Sequence, residues 1–245
     1  GNKYRFRNSA DSATFAQSAV TLNLQELGTY TFDLSDSSVD GHPMKFSTTS
    51  NGSHGGGSTY STGVVYKLDG VTKTESEYVS GFNSATTRQL IITVASSAPV
   101  LYYFCHYHGL MGGQVNTNST HGSTNFDGSI LSVSQTNETA GFSIALYSGN
   151  GSNGTIGHSL GKIPQWIIVK ARDNSSGSWI VYHHKMGTNP EDLRMFLDSN
   201  DASRTSTANF NSTAPTSTVF SVGNTSATNG GSNTYVAYVF AEIEG

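Results

Sequence analysis

The sequence predicts an all-β protein, and three observations support this class. Apolar residues recur in short alternating runs, Gly/Asn/Ser turns separate those runs, and no long segment has the 3.6-residue period of an amphipathic helix. Hydrophobic residues make up 35% of the chain and charged residues only 12%, while the net charge is -4. Disordered chains usually combine high net charge with few aromatics. Aromatics reach 11% here, so we expect many short strands joined by polar turns.

The first half of the chain contains four apolar runs that are typical of strands. Residues 21–35 are predicted to form two strands around a tight turn. Residues 88–95 are rich in Leu, Ile and Val and predict a buried strand, which a second one over 100–105 follows. Residues 47–63 are rich in Ser, Thr and Gly and are predicted to be a loop.

The second half, from about residue 139, has more regularly spaced strand patterns and predicts a jelly-roll-like β-sandwich. The six predicted strands are 142–147, 165–171, 178–183, 194–197, 218–222 and 235–243. The only helix expected is a short turn at 190–193. Between the halves the chain is polar, with a weak strand pattern at 129–133. We therefore predict domains over 1–116 and 139–245, with a linker over 117–138.

Charge and hydropathy exclude two classes of partner. The pI is near 6.0, so the chain lacks the basic footprint of a nucleic-acid-binding protein. No apolar run approaches the roughly 18 residues that a membrane span requires. We expect neither nucleic acid nor a membrane as a partner.

Sequence motifs give no support for catalysis. The chain lacks a Gly-x-Ser-x-Gly elbow, a Walker loop and a His-Glu-x-x-His pattern. Glu75, Glu77, Glu191 and Asp192 stand in polar segments and are expected to be solvated, so no enzyme activity is predicted. Trp166 and Trp179 could stack on a sugar, but their Ile- and Val-rich flanks favour core packing.

The single cysteine opens a motif with metal-ligand spacing. Cys105 ends a predicted strand, His108 follows three residues later and Met111 three residues after that. Blue-copper sites combine a Cys thiolate and two His with a weak axial Met. His42 follows a predicted strand by a turn and is the candidate for the second imidazole. His106 offers an alternative donor, and a buried Cys that only packs as a small hydrophobe is the competing interpretation. His54 and His121 are expected to be surface or turn residues.

Residues 1–116 resemble cupredoxins, and the Cys-x-x-His-x-x-Met spacing is similar to the amicyanin type of ligand loop. The resemblance implies a Greek-key β-sandwich. It also implies a copper ion held by His42, Cys105, His108 and Met111.

Longer stretches resemble modules of bacteriophage proteins. Residues 29–38 (TYTFDLSDSS) and 41–50 (GHPMKFSTTS) are similar to cupredoxin-like modules in predicted virion proteins of marine phages, notably cyanophages. Residues 160–170 (LGKIPQWIIVK), 213–216 and 235–245 (YVAYVFAEIEG) resemble a β-sandwich module of phage tail and appendage proteins. The resemblance implies a non-enzymatic capsid-decoration, appendage or tail-fibre protein on the extracellular virion surface.

This virion hypothesis predicts other virion proteins as partners and assembly into a homo-oligomer. Two alternatives stay open. One is a secreted copper-binding or electron-transfer protein, and the other is a carbohydrate-binding protein whose second domain contacts a host-surface glycan.

Overall fold

A computed structural model describes residues 1–118, 122–174 and 177–244. The predicted all-β class is confirmed, because these residues form eighteen strands and a single short α-helix. Within the same residues, no helix is long and apolar enough to cross a membrane.

The chain divides into two compact units. The first comprises Gly1–Arg5 and Ala16–Gly122, and the second comprises Phe6–Phe15 and Ser123–Gly245. The boundary therefore follows residue 122, and the chain enters the second unit once, early, before returning to the first. Sequence patterns did not indicate this early excursion.

The first unit contains eight strands arranged in two four-stranded sheets. The strands are β1 (Leu22–Gln25), β2 (Thr29–Asp33), β3 (Met44–Ser47), β4 (Val64–Leu68), β5 (Val71–Lys73), β6 (Arg88–Thr93), β7 (Leu101–Cys105) and β8 (Gly113–Asn118). One sheet has the order β1-β8-β7-β3 and the other β2-β6-β4-β5. Strands β1 and β8 run parallel, and the remaining neighbours in both sheets are antiparallel.

Alternation along these strands places the predicted apolar residues in the core. Leu22 and Leu24 of β1 are fully buried, as are Leu90 and Ile92 of β6. Strands β1 and β2 flank the predicted tight turn, in which the Gly28 amide donates to the Gln25 carbonyl. They belong to different sheets, so this turn carries the chain from one sheet to the other.

The helix prediction was wrong in its position. The α-helix α1 spans Glu75–Gly81, where the sequence analysis expected solvated carboxylates, whereas Pro190–Asp192 forms a 3-10 turn. Thr74 caps α1 by accepting from the Glu77 amide, and the Glu77 carboxylate accepts from the Thr74 amide. This reciprocal capping box was readable as Thr-x-x-Glu, and it was missed.

The second unit contains ten strands in an eight-stranded and a two-stranded sheet. The strands are β9 (Ser123–Asn125), β10 (Ser132–Asn137), β11 (Phe142–Ser148), β12 (Gly154–Gly157), β13 (Pro164–Ala171), β14 (Ile180–His183), β15 (Leu193–Phe196), β16 (Arg204–Thr205), β17 (Val219–Val222) and β18 (Thr234–Ala241). The large sheet has the order β16-β15-β14-β13-β18-β11-β10-β9, and β12 pairs with β17. One face of the large sheet contributes alternate residues such as Tyr147, Val169 and Val239 to the buried core.

The prediction of a linker over 117–138 is corrected, because this segment contains strands. Residues 117–118 complete β8, and β9 and β10 pair with each other at the edge of the large sheet. Their polar side chains are buried and bonded together: the Asn125 amide donates to the Ser134 hydroxyl at 3.3 Å and to the Ser159 hydroxyl at 2.7 Å. These hydrogen bonds satisfy the buried polar groups and stabilise two strands whose composition is typical of a linker.

The core packing expected for the two tryptophans is also corrected. Trp166 and Trp179 are half-buried, and they lie on the face of the large sheet opposite to the core. Trp166 stacks on Phe240 with ring centroids 5.0 Å apart, and Phe142 packs on the other side of Phe240 at 4.8 Å. Trp179 stacks on Tyr238 at 6.2 Å. We call this set of five rings the aromatic face.

Candidate metal centre

Strand pairing in the first unit explains why His42 meets Cys105. Strand β3 pairs with β7 so that Met44, the first residue of β3, lies opposite Cys105, the last residue of β7. The His106 amide extends this pairing by donating to the Pro43 carbonyl at 2.9 Å. His42 is therefore delivered to the end of β7, where the Cys-x-x-His turn also returns His108.

Three of the four predicted ligands converge. The Cys105 sulfur lies 3.6 Å from Nδ1 of His42 and 3.7 Å from Nδ1 of His108. The three ligand atoms all lie within 4.8 Å of one another, and the two imidazole rings are 4.7 Å apart. Cys105 is 0% exposed, His42 is half-buried and His108 is exposed. The cluster therefore has a buried sulfur and one imidazole edge open to solvent.

These separations fit a shared metal ion. Metal–sulfur and metal–nitrogen bonds of about 2.3 and 2.0–2.1 Å, at angles of about 110–120°, place sulfur and nitrogen about 3.6–3.8 Å apart. Both observed separations lie in this range. Two hydrogen bonds would also be possible, because an imidazole N–H can donate to sulfur while the thiol donates to the other ring, but one shared ion accounts for both separations with a single bond geometry. The donor set, one thiolate and two imidazoles, suits copper or zinc.

The fourth predicted ligand, Met111, is 4% exposed and ends the same loop, three residues after His108. Its carbonyl accepts a hydrogen bond from the Tyr4 amide at 2.9 Å. Its role as an axial ligand stays a prediction. The alternative donor His106 lies outside the three-residue cluster. Burial, followed by the charge of Lys45, lowers the pKa of His106, and Glu75 opposes the shift.

Charge and burial act on His42 in the same direction. Burial lowers the pKa of His42 below its ordinary value, and the charge of a protonated His108 lowers it further. The positive charge of one imidazole thus opposes protonation of His42, as expected for groups that meet at one point.

The segment over 47–63, which was predicted to be a loop, hydrogen-bonds to the ligand loop, the name we give to residues 105–111. It contains a 3-10 turn, Gly52–Gly55, in which Nε2 of His54 donates to the Cys105 carbonyl at 3.1 Å. Just before it, the Asn51 side-chain oxygen accepts from the Leu110 amide at 2.6 Å. His54 is exposed as predicted, yet it has this structural contact; His121 lies outside the described residues.

Tyr4 is a site residue that the sequence analysis missed. Its hydroxyl donates to the His42 carbonyl at 2.7 Å. Burial, followed by the charge of Cys105, raises the pKa of Tyr4 far above its usual range. No local motif announces these contacts, because residues 1–5 reach the ligands only through the tertiary fold.

Comparison with known families bears on the second half of the chain. Residues 116–245 match the family described as a domain of unknown function, DUF7483. The chain belongs to the DUF7483 family. The match covers all of β9 to β18, whereas His42, Cys105 and His108 precede it. No curated protein matched the chain.

The DUF7483 region contains a fully buried histidine that has a structural explanation. His158 donates from Nε2 to the Thr216 carbonyl at 3.2 Å, and its Nδ1 accepts from the Leu160 amide at 3.2 Å. Burial lowers its pKa, although the bond to Thr216 opposes the shift. Both ring nitrogens are occupied by backbone partners, so His158 is a core residue with no donor left for an ion.

Proposed function

We propose that the first unit is a metal-binding β-sandwich module that holds copper through His42, Cys105 and His108, with Met111 as the fourth ligand. The observation that carries the proposal is the pair of sulfur–nitrogen separations, 3.6 and 3.7 Å. Bound copper would supply one-electron redox chemistry. The chain supplies a buried sulfur donor and two imidazoles. The 3-10 turn Gly52–Gly55 holds the ligand loop in place.

Metal titration tests this proposal directly. Equilibrium dialysis of the reduced chain against Cu(II) or Cu(I) should retain one ion per chain, and His42→Ala and His108→Ala should each weaken retention at least tenfold, because each removes one of three convergent donors. His183→Ala is the matched control, since His183 lies on β14 of the second unit and outside the cluster. Equal retention by all three variants would sink the proposal.

A second candidate function is assembly, as in the virion hypothesis, and the aromatic face favours it. A sheet face that presents five large rings instead of polar residues is typical of a contact surface. Each ring packs against at least one of the others, so a neighbouring ring covers part of every ring surface. This arrangement gives less support to the glycan alternative, because a sugar platform needs a ring face that is fully open to solvent. We propose that other copies of this chain occupy the face, within a larger extracellular particle.

The size of the face sets the expected strength of this association. Strands β11, β13 and β18 contain seven, eight and eight residues. At a rise of about 3.3 Å per residue and a strand spacing of about 4.8 Å, they present about 400 Å². Stable interfaces bury about 800 Å² per partner, so isolated copies should associate weakly and many copies should reinforce one another.

Light scattering over a range of protein concentrations tests assembly. The average mass of the unmodified chain should rise with concentration, and Leu146→Lys should keep it at the monomer value. Leu146 is 37% exposed and shares its sheet face with Phe142, so a charge there opposes contact without entering the core. Leu27→Lys is the control, since Leu27 is 75% exposed in a turn of the first unit. A mass that stays constant for the unmodified chain would contradict self-association.

A further inference from the structure

We propose that Tyr4 is the positioning residue of the metal site, which holds two ligand segments in place. This inference rests on the proposed metal-binding function and adds a residue outside the ligand set.

The hydrogen bonds of Tyr4 reach two of the four proposed ligands. Its amide donates to the Met111 carbonyl at 2.9 Å, and its hydroxyl donates to the His42 carbonyl at 2.7 Å. One residue near the start of the first unit therefore connects the turn before β3 with the loop before β8.

The Tyr4 hydroxyl carries one proton, and its bond to the His42 carbonyl uses that proton. The backbone of a proposed ligand is thereby held by a partner outside the ligand set. Partners of this kind orient the ligands of a metal site and tune the bound metal.

Packing holds Tyr4 in this position. The side chain is 4% exposed, and its ring lies 6.1 Å from the ring of Tyr103. Tyr103 is also buried, and its hydroxyl donates to the Val20 carbonyl at 2.8 Å. Tyr103 therefore provides a neighbouring buried tyrosine whose hydroxyl bonds to backbone away from the ligands.

The experiment compares Tyr4→Phe with Tyr103→Phe in the full chain, using copper affinity by competition titration and the visible spectrum as readouts. Each variant removes one buried hydroxyl and keeps its ring, so the melting temperatures of the metal-free chains should fall by similar amounts. Tyr4→Phe should weaken copper affinity by about 10- to 100-fold, the range for lost outer-sphere partners. It should also shift or weaken the sulfur-to-copper band, because the position of His42 beside the sulfur is no longer fixed. Tyr103→Phe should change neither readout.

The outcomes separate this inference from the function on which it rests. If the unmodified chain binds copper and the two variants have the same affinity and band position, Tyr4 is only a packing residue and the inference is overturned. If the unmodified chain binds no copper, the proposed function and this inference fail together. A shift of band and affinity confined to Tyr4→Phe supports the positioning role.

Discussion

Replacing Cys105 with serine should abolish the intense visible band that Cu(II) is expected to give with the unmodified chain. The band arises from charge transfer between a thiolate and copper, and a hydroxyl is a far poorer ligand for a soft metal. Cys105 is the only cysteine of the chain and is completely buried between the two imidazoles, so no other sulfur of this type can replace it. Absorption spectra recorded during stepwise addition of Cu(II) to the reduced protein measure the effect.

The control for this prediction is Met111→Leu. An axial thioether is a weak ligand, so this variant should keep the colour and change the reduction potential. Copper should also raise the thermal stability of the unmodified chain, by about 2.7 kcal/mol at one hundred times its dissociation constant, because only the folded state offers the site. A band that survives in Cys105→Ser would show that copper binds elsewhere. Strong zinc binding without a coloured copper complex would keep the site and replace the metal.

The sequence predicted all three members of the cluster, and a local pattern explains two of them. Cys105 and His108 share one turn, so their spacing in sequence is close to their spacing in space. His42 was selected because it follows a predicted strand by a turn. The pairing of Met44 with Cys105, which brings His42 to the sulfur, was not predicted, because residues 101–105 form a continuous apolar run that does not specify a partner strand.

What the sequence could not reveal depends on long-range contacts and on polar pairing. Tyr4 and His54 contact the site through backbone carbonyls, which any residue could offer, so no side-chain pattern marks them. Strands β9 and β10 were mistaken for a linker because Ser, Thr and Asn are normally loop residues. Only the three-dimensional arrangement pairs their side chains with one another.

The prediction that the tryptophans pack in the core was misled by their apolar neighbours in sequence. Trp166 stands on β13 between Gln165 and Ile167, and a large ring beside buried aliphatics is usually a core residue. Alternation along the strand points Ile167 to the core and Trp166 to the opposite face. Alternation along one strand distinguishes its two faces, but it does not show which face packs against the core. That assignment depends on how the strands are arranged in the eight-stranded sheet.

Adding a single methyl group at Gly112, where the ligand loop ends, should strongly reduce the stability of the chain. Gly112 lies between Met111 and the start of β8, and its backbone packs directly against β7. A Cβ atom there would overlap the carbonyl oxygen of Tyr103 and lie 3.0 Å from Cα of Phe104. These are backbone atoms of a paired strand, so no flexible side chain can move aside. Gly112→Ala should therefore separate the start of β8 from β7 and displace Met111.

Gly109→Ala is the matched control, in the same loop. A Cβ at Gly109 would lie 3.4 Å from the Asn51 side-chain nitrogen and 3.5 Å from Cβ of His54, which are ordinary contact distances. We expect Gly112→Ala to cost about 3 kcal/mol or more of unfolding free energy and to weaken copper binding. Gly109→Ala should change stability by less than about 1 kcal/mol, in either direction, since the added methyl also restricts the unfolded chain. Urea unfolding of both variants measures the difference. Equal stability of the two variants would mean that the backbone of Gly112 does not pack against β7. The position assigned to Met111 would then be wrong.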